Sequence, residues 1–196
     1  MILPISAYGD PVLKKKAKDI DNGFKDLNKL IENMWDTMYN ANGVGLAAPQ
    51  IGLPLRAFIV DTSPFADAEN MSNDEFEIVK SFKKVFINPF LIKETGDKWD
   101  FNEGCLSIPD VREDITRSDT ILIKYLDKNF NQHLDSFNGI IARVIQHEYD
   151  HIEGILFTDK LSSLKRTLLK GKLLNISKGK IETEYKMKFS KLIKNM

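Results

Sequence analysis

The chain carries one cysteine, Cys105, among 196 residues. An intramolecular disulfide is therefore impossible, and a lone thiol fits either a reducing compartment or a cysteine kept for chemistry. Excess charge of either sign is also missing, since 28 Lys and Arg balance 28 Asp and Glu. A balanced chain has no global electrostatic push toward nucleic acid or an anionic membrane, so no direct nucleic-acid site is expected. The Lys14-Lys15-Lys16 run is too short to change this and reads as a solvated turn. No apolar run approaches the ~20 residues that span a bilayer. The opening Met1-Ile2-Leu3-Pro4-Ile5-Ser6 has neither a basic start nor a long apolar stretch, so no signal peptide is expected. The expectation is a cytoplasmic protein with no membrane partner.

A length of 196 residues at 42% hydrophobic composition suits a single domain, 1–196, with a peripheral tail from about 175. Asp10-Pro11 reads as an N-cap followed by proline at the first helical position. Apolar residues at Phe24, Leu27, Leu30, Ile31, Met34, Trp35 and Met38 have helical period and predict a long N-terminal helix, started near Asn22-Gly23. The Gly43–Gly52 stretch, broken by three glycines and Pro49, excludes a regular helix. Strands are predicted over Leu55–Asp61, over Lys84–Asn88 closed by Pro89, and around Trp99–Phe101 and Thr120–Leu126. A turn at 127–131 lets His133–Phe137 pair back. Thr62–Asp74 reads as a surface loop or insertion, in a Thr62–Phe82 segment longer than a minimal connection needs. Helices are expected over Ile140–Ile152, stopped by Gly154, and over Leu161–Leu174. The charged tail from Lys178 reads as an edge or mobile element without chemistry of its own. The order gives an α+β fold of mostly antiparallel strands around the 140–152 helix.

That helix contains Gln146-His147-Glu148-Tyr149-Asp150-His151, an H-E-x-x-H motif. Residues four apart share a helix face, so two imidazoles can hold one metal and the glutamate beside them can take a proton from water. Ile140, Val144, His147 and His151 fall in one arc, with Ile141, Ile145, Glu148 and Ile152 in the next. Arg143, Gln146, Tyr149, Asp150 and Glu153 take the remaining face. The polar trio therefore continues the buried stripe, where an unpaired carboxylate would be costly.

Two histidines leave a catalytic site one protein ligand short. The extended protease motif would place a histidine at position 157, where Phe157 stands. The other histidine, His133, lies in the predicted 133–137 strand. Cys105, in Glu103-Gly104-Cys105-Leu106-Ser107-Ile108-Pro109, is the better third ligand: its thiolate is soft, and Gly104 permits close backbone approach, with Pro109 expected to end the strand. Gly43-Val44-Gly45-Leu46-Ala47-Ala48 matches a dinucleotide fingerprint formally, but it follows a helix and runs into Pro49, so that reading is rejected. No G-x-S-x-G is present to support a serine hydrolase.

Gly43–Gln50, Glu103–Ser107 and Gln146–His151 together closely resemble, in order and separation, the three signature motifs of peptide deformylases, over roughly residues 5–165. The resemblance implies a bacterial-type enzyme that removes the formyl group from N-formylmethionyl nascent peptides, in transient association with the ribosome. It implies one divalent ion on Cys105, His147 and His151: Fe(2+) natively, with Zn(2+), Ni(2+) or Co(2+) able to replace it. Glu148 would be the acid/base, and Gln50 with the Leu106 N–H would hold the oxyanion. Val44, Gly45 and Gly104 would bind the peptide backbone like an added strand. Phe101, Ile140, Val144 and the aliphatic stem of Arg143 would line the methionine pocket, and Glu103 with Arg117 would form a supporting pair.

Overall fold

A computed structural model of the chain describes residues 1–66 and 72–190. It opens with a short strand, β1 (Ile5–Ser6), and a 3-10 turn over Pro11–Lys14. The Asp10 carboxylate accepts from the Val12 N–H at 3.0 Å, and Pro11 takes a position that needs no donor, as the sequence predicts. The first helix, α1 (Leu27–Asn40), starts later than its apolar period implies. Asp26 is left-handed (φ 66°), which breaks the helical run and leaves Phe24 outside it. The expected long N-terminal helix is thus a 14-residue element that begins at residue 27. Its stripe of Leu27, Leu30, Ile31, Met34 and Met38 packs on Ile5, Leu46, Ile59 and Ile87.

Strands β2 (Gly45–Ala47) and β3 (Ala57–Asp61) follow, then α2 (Asn73–Ser81). The α2 helix begins at the last residues of the expected 62–74 loop and occupies the stretch after it, to which no element was assigned. Ser72 and Glu75 satisfy each other's backbone donors at its start, a capping box that the sequence carries as Ser-x-x-Glu. Residues 67–71 of the expected loop, and 191–196 of the tail, lie outside the described residues.

The strand β4 (Lys83–Cys105) then runs unbroken through both segments predicted as separate strands. Pro89 does not close it: the register with the next strand shifts between Ile87 and Phe90, and Asn88 turns to φ 48°, so the missing proline donor falls at a bulge. Pro109 does not end a strand either, since it lies inside β5 (Ile108–Leu126); the break is the two-residue turn Leu106-Ser107. Strand β6 (Gln132–Asn138) completes an antiparallel sheet of order β2-β3-β4-β5-β6.

Helix α3 (Gly139–Ile152) packs Ile141, Ala142, Val144, Ile145 and Ile152 on that sheet. Gly154 ends it at φ 76°, where an added Cβ would meet the Lys14 backbone carbon at 2.8 Å. The arc expected to face outward does not do so: Arg143, Gln146 and Asp150 are buried, each with a polar partner in the sheet or beside it. Helix α4 (Ser163–Ser177) follows, and β7 (Met187–Lys188) pairs parallel with β1. The architecture is mixed helix and antiparallel sheet, with this parallel strand pair beside it. No helix among the described residues is long and apolar enough to cross a membrane.

Candidate metal centre

The end of β4 and its turn face α3 across a cavity of about 490 Å³, and the reactive side chains come from these two walls. His147 and His151, one helical turn apart, have ring centroids 5.1 Å apart. Cys105 Sγ lies 3.2 Å from His151 Nε2. One ligand atom from each of Cys105, His147 and His151 lies within 4.8 Å of the others, a spacing that can surround a divalent ion. His133 is remote from them, stacked on Tyr125 and 3.2 Å from Asp127. Phe157 is a buried core residue whose ring lies 6.2 Å from that of His147.

The donor set fits a metal. His147 Nδ1 pairs with Glu103 Oε2 at 2.9 Å, which leaves Nε2 as its ligating nitrogen. Glu148 is buried, and its Oε2 has no hydrogen-bond partner among the described residues. A buried carboxylate oxygen held unpaired beside a thiol and two imidazoles belongs to a site built for a charged guest. Burial pushes the Glu148 carboxyl up to about 7; the negative charges of Glu103 and Asp150 add to this, against His147 and Arg117. Burial lowers His151 and favours the neutral imidazole a metal ligand needs. Burial opposes a charge on His147 as well, but its hydrogen bonds with Cys105 and Glu103 raise it, so an ion bound there would displace a proton.

Behind the histidines lies a buried ion network. Arg117 holds Glu103 in a fork, Nε to Oε1 at 2.7 Å and Nη2 to Oε2 at 3.0 Å, and reaches Asp150 Oδ2 through Nη1 at 2.7 Å. Arg143 Nη1 adds a hydrogen bond to Glu103 Oε1 at 3.1 Å, and Lys160 Nζ forms an ion pair with Asp150 Oδ2 at 3.1 Å. Burial opposes the charge on Glu103, but the hydrogen bonds from His147 and Arg117 overcome it and hold its carboxyl well below the usual range. The Glu103–Arg117 pair expected from sequence is present. Asp150, which extends it, was missed because it had been assigned to the outer face.

The remaining predicted residues divide. Gln50 is buried; its Oε1 accepts from Ala47 N–H at 2.8 Å, and its Nε2 points to Cys105 Sγ at 3.6 Å and Ser107 Oγ at 3.4 Å. Val44, Gly45, Phe101, Gly104, Leu106, Arg143 and Val144 line the cavity. The Val44 carbonyl already accepts from Asp61 N–H at 2.9 Å. Ile140 is half-buried and packs against the same core cluster as Val144, but it is not among the residues that line the cavity. The Arg143 head is fixed by Ile115 O at 2.8 Å and Trp99 O at 2.7 Å. Tyr185, from the tail, also lines the cavity and was not anticipated. Its signal was the strict alternation Ile181, Thr183, Tyr185, Met187, Phe189 between charged residues, a half-buried strand pattern.

Gly45 passes so close to α3 that a Cβ there would sit 2.8 Å from Glu148 Cδ. Gly45→Ala is therefore expected to displace the carboxylate and lower kcat by about 10²-fold, as roughly 1 Å misplacements do. Metal content should stay at the wild-type level. Steady-state turnover beside metal analysis checks this, and an unchanged kcat would show that Glu148 need not be held where it is.

Fold and site together define a metal-dependent hydrolase. The family model for polypeptide deformylase matches residues 2–167. The chain belongs to the peptide deformylase family, enzymes that hydrolyse the N-formyl amide of nascent peptides. It is 65% identical to a peptide deformylase of Christiangramia forsetii over 96% of both chains. It is 57% identical to that of Flavobacterium johnsoniae over 97% of both. The crystal structure of peptide deformylase from Thermus thermophilus superposes with a TM-score of 0.78 at 35% identity, covering 91% of this chain and 99% of that one.

Proposed function

We propose that the reaction runs at one divalent ion held by Cys105, His147 and His151, with Glu148 as the acid/base and N-formylmethionyl peptides as substrate. The observation that carries this reading is the Cys105–His147–His151 cluster, with the unpartnered Glu148 carboxylate beside it. When bound, the ion polarises the formyl carbonyl and lowers the pKa of water. Glu148 takes a proton from the attacking water, whose oxygen bonds to the formyl carbon. Gln50 Nε2 and the Leu106 N–H donate to the tetrahedral oxyanion, each worth a few kcal/mol (roughly 3–4) in sites of this kind. Glu148 then delivers its proton to the amide nitrogen as the C–N bond breaks, and formate leaves.

The peptide lies along β2, an edge strand whose outer side faces Gly104 across the cavity, with Val44, Gly45 and Gly104 supplying backbone groups. Phe101, Val144 and the stem of Arg143 receive the methionine side chain. Fe(2+) is the native ion in this reading, with Zn(2+), Ni(2+) and Co(2+) as substitutes, since a Cys/His/His set accepts several divalent ions. The setting is the bacterial cytoplasm, where Cys105 stays reduced and nascent chains are met at the ribosome. Residues 1–196 act as one catalytic unit, a view supported by the pairing of β1 with β7 near the two chain ends.

Protein purified without oxygen should release formate from a formyl-Met tripeptide and leave the N-acetyl analogue intact, because the formyl carbon carries only hydrogen beyond its oxygen. Equal rates on both peptides would contradict the assignment of substrate.

A further inference from the structure

The oxyanion donor assigned to Leu106 sits in a turn whose geometry calls for outside support. Leu106-Ser107 is a two-residue connection between the paired residues Cys105 and Ile108. Hairpins of this length favour turns with a positive φ at the first central residue, because that hand follows the twist of the strands. Neither Leu106 nor Ser107 has a positive φ. The register also slips between Gly104 and Cys105, so the ladder itself is irregular where the turn begins.

Three contacts from distant parts of the chain hold this turn. The Tyr8 N–H donates to the Ser107 carbonyl at 2.8 Å, and Gln50 Nε2 lies 3.4 Å from Ser107 Oγ. The third comes from the tail: the Tyr185 hydroxyl donates to the Leu106 carbonyl at 2.8 Å. That carbonyl belongs to the central peptide of the turn, the unit that rotates when one turn type converts to another. Its rotation changes ψ of Leu106 and φ of Ser107, and the peptide that carries the Leu106 N–H is joined to it at the Leu106 Cα.

Tyr185 is itself well anchored. Its ring and the Leu106 side chain are both partly buried against the core cluster that includes α1. The strand around it is bound by Ile5 N–H to Lys186 O and Ala7 N–H to Lys188 O, both 2.9 Å. Met187 and Phe189 pack beside Leu13, Ile108 and Ile176. The tail is thus a strap from the N-terminal strand to the floor of the cavity, and Tyr185 lies beyond the 2–167 span that the family model matches.

We propose that Tyr185 is a positioning residue for the hydrolysis: its hydroxyl fixes the central peptide of the Leu106-Ser107 turn and so holds the Leu106 N–H in line for the oxyanion. This rests on the oxyanion role given above to Leu106 and Gln50. Tyr185→Phe in the full, zinc-loaded chain removes the hydroxyl and keeps the ring. The expected result is a kcat about three- to tenfold lower, the order set by one hydrogen bond, with KM within about twofold. Metal content and the urea midpoint stay at wild-type values. Amide ¹⁵N relaxation dispersion then shows new exchange at Leu106 and Ser107, a readout independent of turnover. Unchanged kcat with unchanged exchange overturns the proposal, as does a loss of kcat that tracks lost metal or a lowered midpoint. Gln50→Ala separates the two levels. If it lowers kcat while Tyr185→Phe does not, the positioning role falls alone. If both variants keep wild-type kcat, the oxyanion assignment falls with it.

Discussion

Replacing Glu148 with glutamine is expected to reduce formate release by about 10²–10⁴-fold, the range that general acid–base groups supply. The amide keeps the shape of the side chain and loses its capacity to carry a proton. Two features make this carboxylate suited to the task. Burial raises it to about 7, so it can accept a proton at the start of the cycle and return it at the end. It also occupies space that the bare Gly45 leaves open, since a Cβ there would stand 2.8 Å from its Cδ. Glu148 is not among the three residues whose potential ligand atoms cluster, so metal content should be unchanged. A variant that loses metal and activity together would show that Glu148 is instead part of the ligand set.

The second large effect is on stability. Arg117→Met is expected to destabilise the fold by about 3–5 kcal/mol, the usual result of breaking a buried ion pair from one side. Arg117 is 6% exposed and is shared by Glu103 and Asp150; without it, Arg143 and Lys160 remain as partial partners. Urea unfolding of the zinc-loaded proteins measures the difference. Because the Glu103 carboxyl is lowered in the fold, its contribution is complete above the ordinary carboxylate range and is lost as pH falls through the lowered value. Without Arg117 that loss should move to higher pH. A variant as stable as wild type would mean that Arg143 alone can balance Glu103.

The parts of this site that were legible in the sequence are those whose logic is local. H-E-x-x-H places two imidazoles and a carboxylate by helix geometry alone, and α3 runs over Gly139–Ile152 as the period requires. Cys105 followed from the shortage of other ligands. Pairings across the chain were not legible. A charged residue on a helix is placed in solvent by default, so Asp150 and the head of Arg143 read as exposed; their burial depends on Glu103, 40 positions from Arg143, and on Arg117, 33 from Asp150. Pro89 read as a strand end because it cannot donate to a ladder, and only the partner strand reveals the bulge that absorbs it. In contrast, the capping box of α2 and the alternation that marks β7 were present locally. A polar, charged composition masked both.

The most direct test of the account is metal stoichiometry in Cys105→Ala beside wild type, both prepared without oxygen, with formate release from a formyl-Met tripeptide measured on the same samples. The account predicts close to one divalent ion per wild-type chain, little metal in the variant, and loss of formate release with it. A variant that keeps a full equivalent of metal and wild-type turnover would contradict it, because Cys105 would then not be part of the centre.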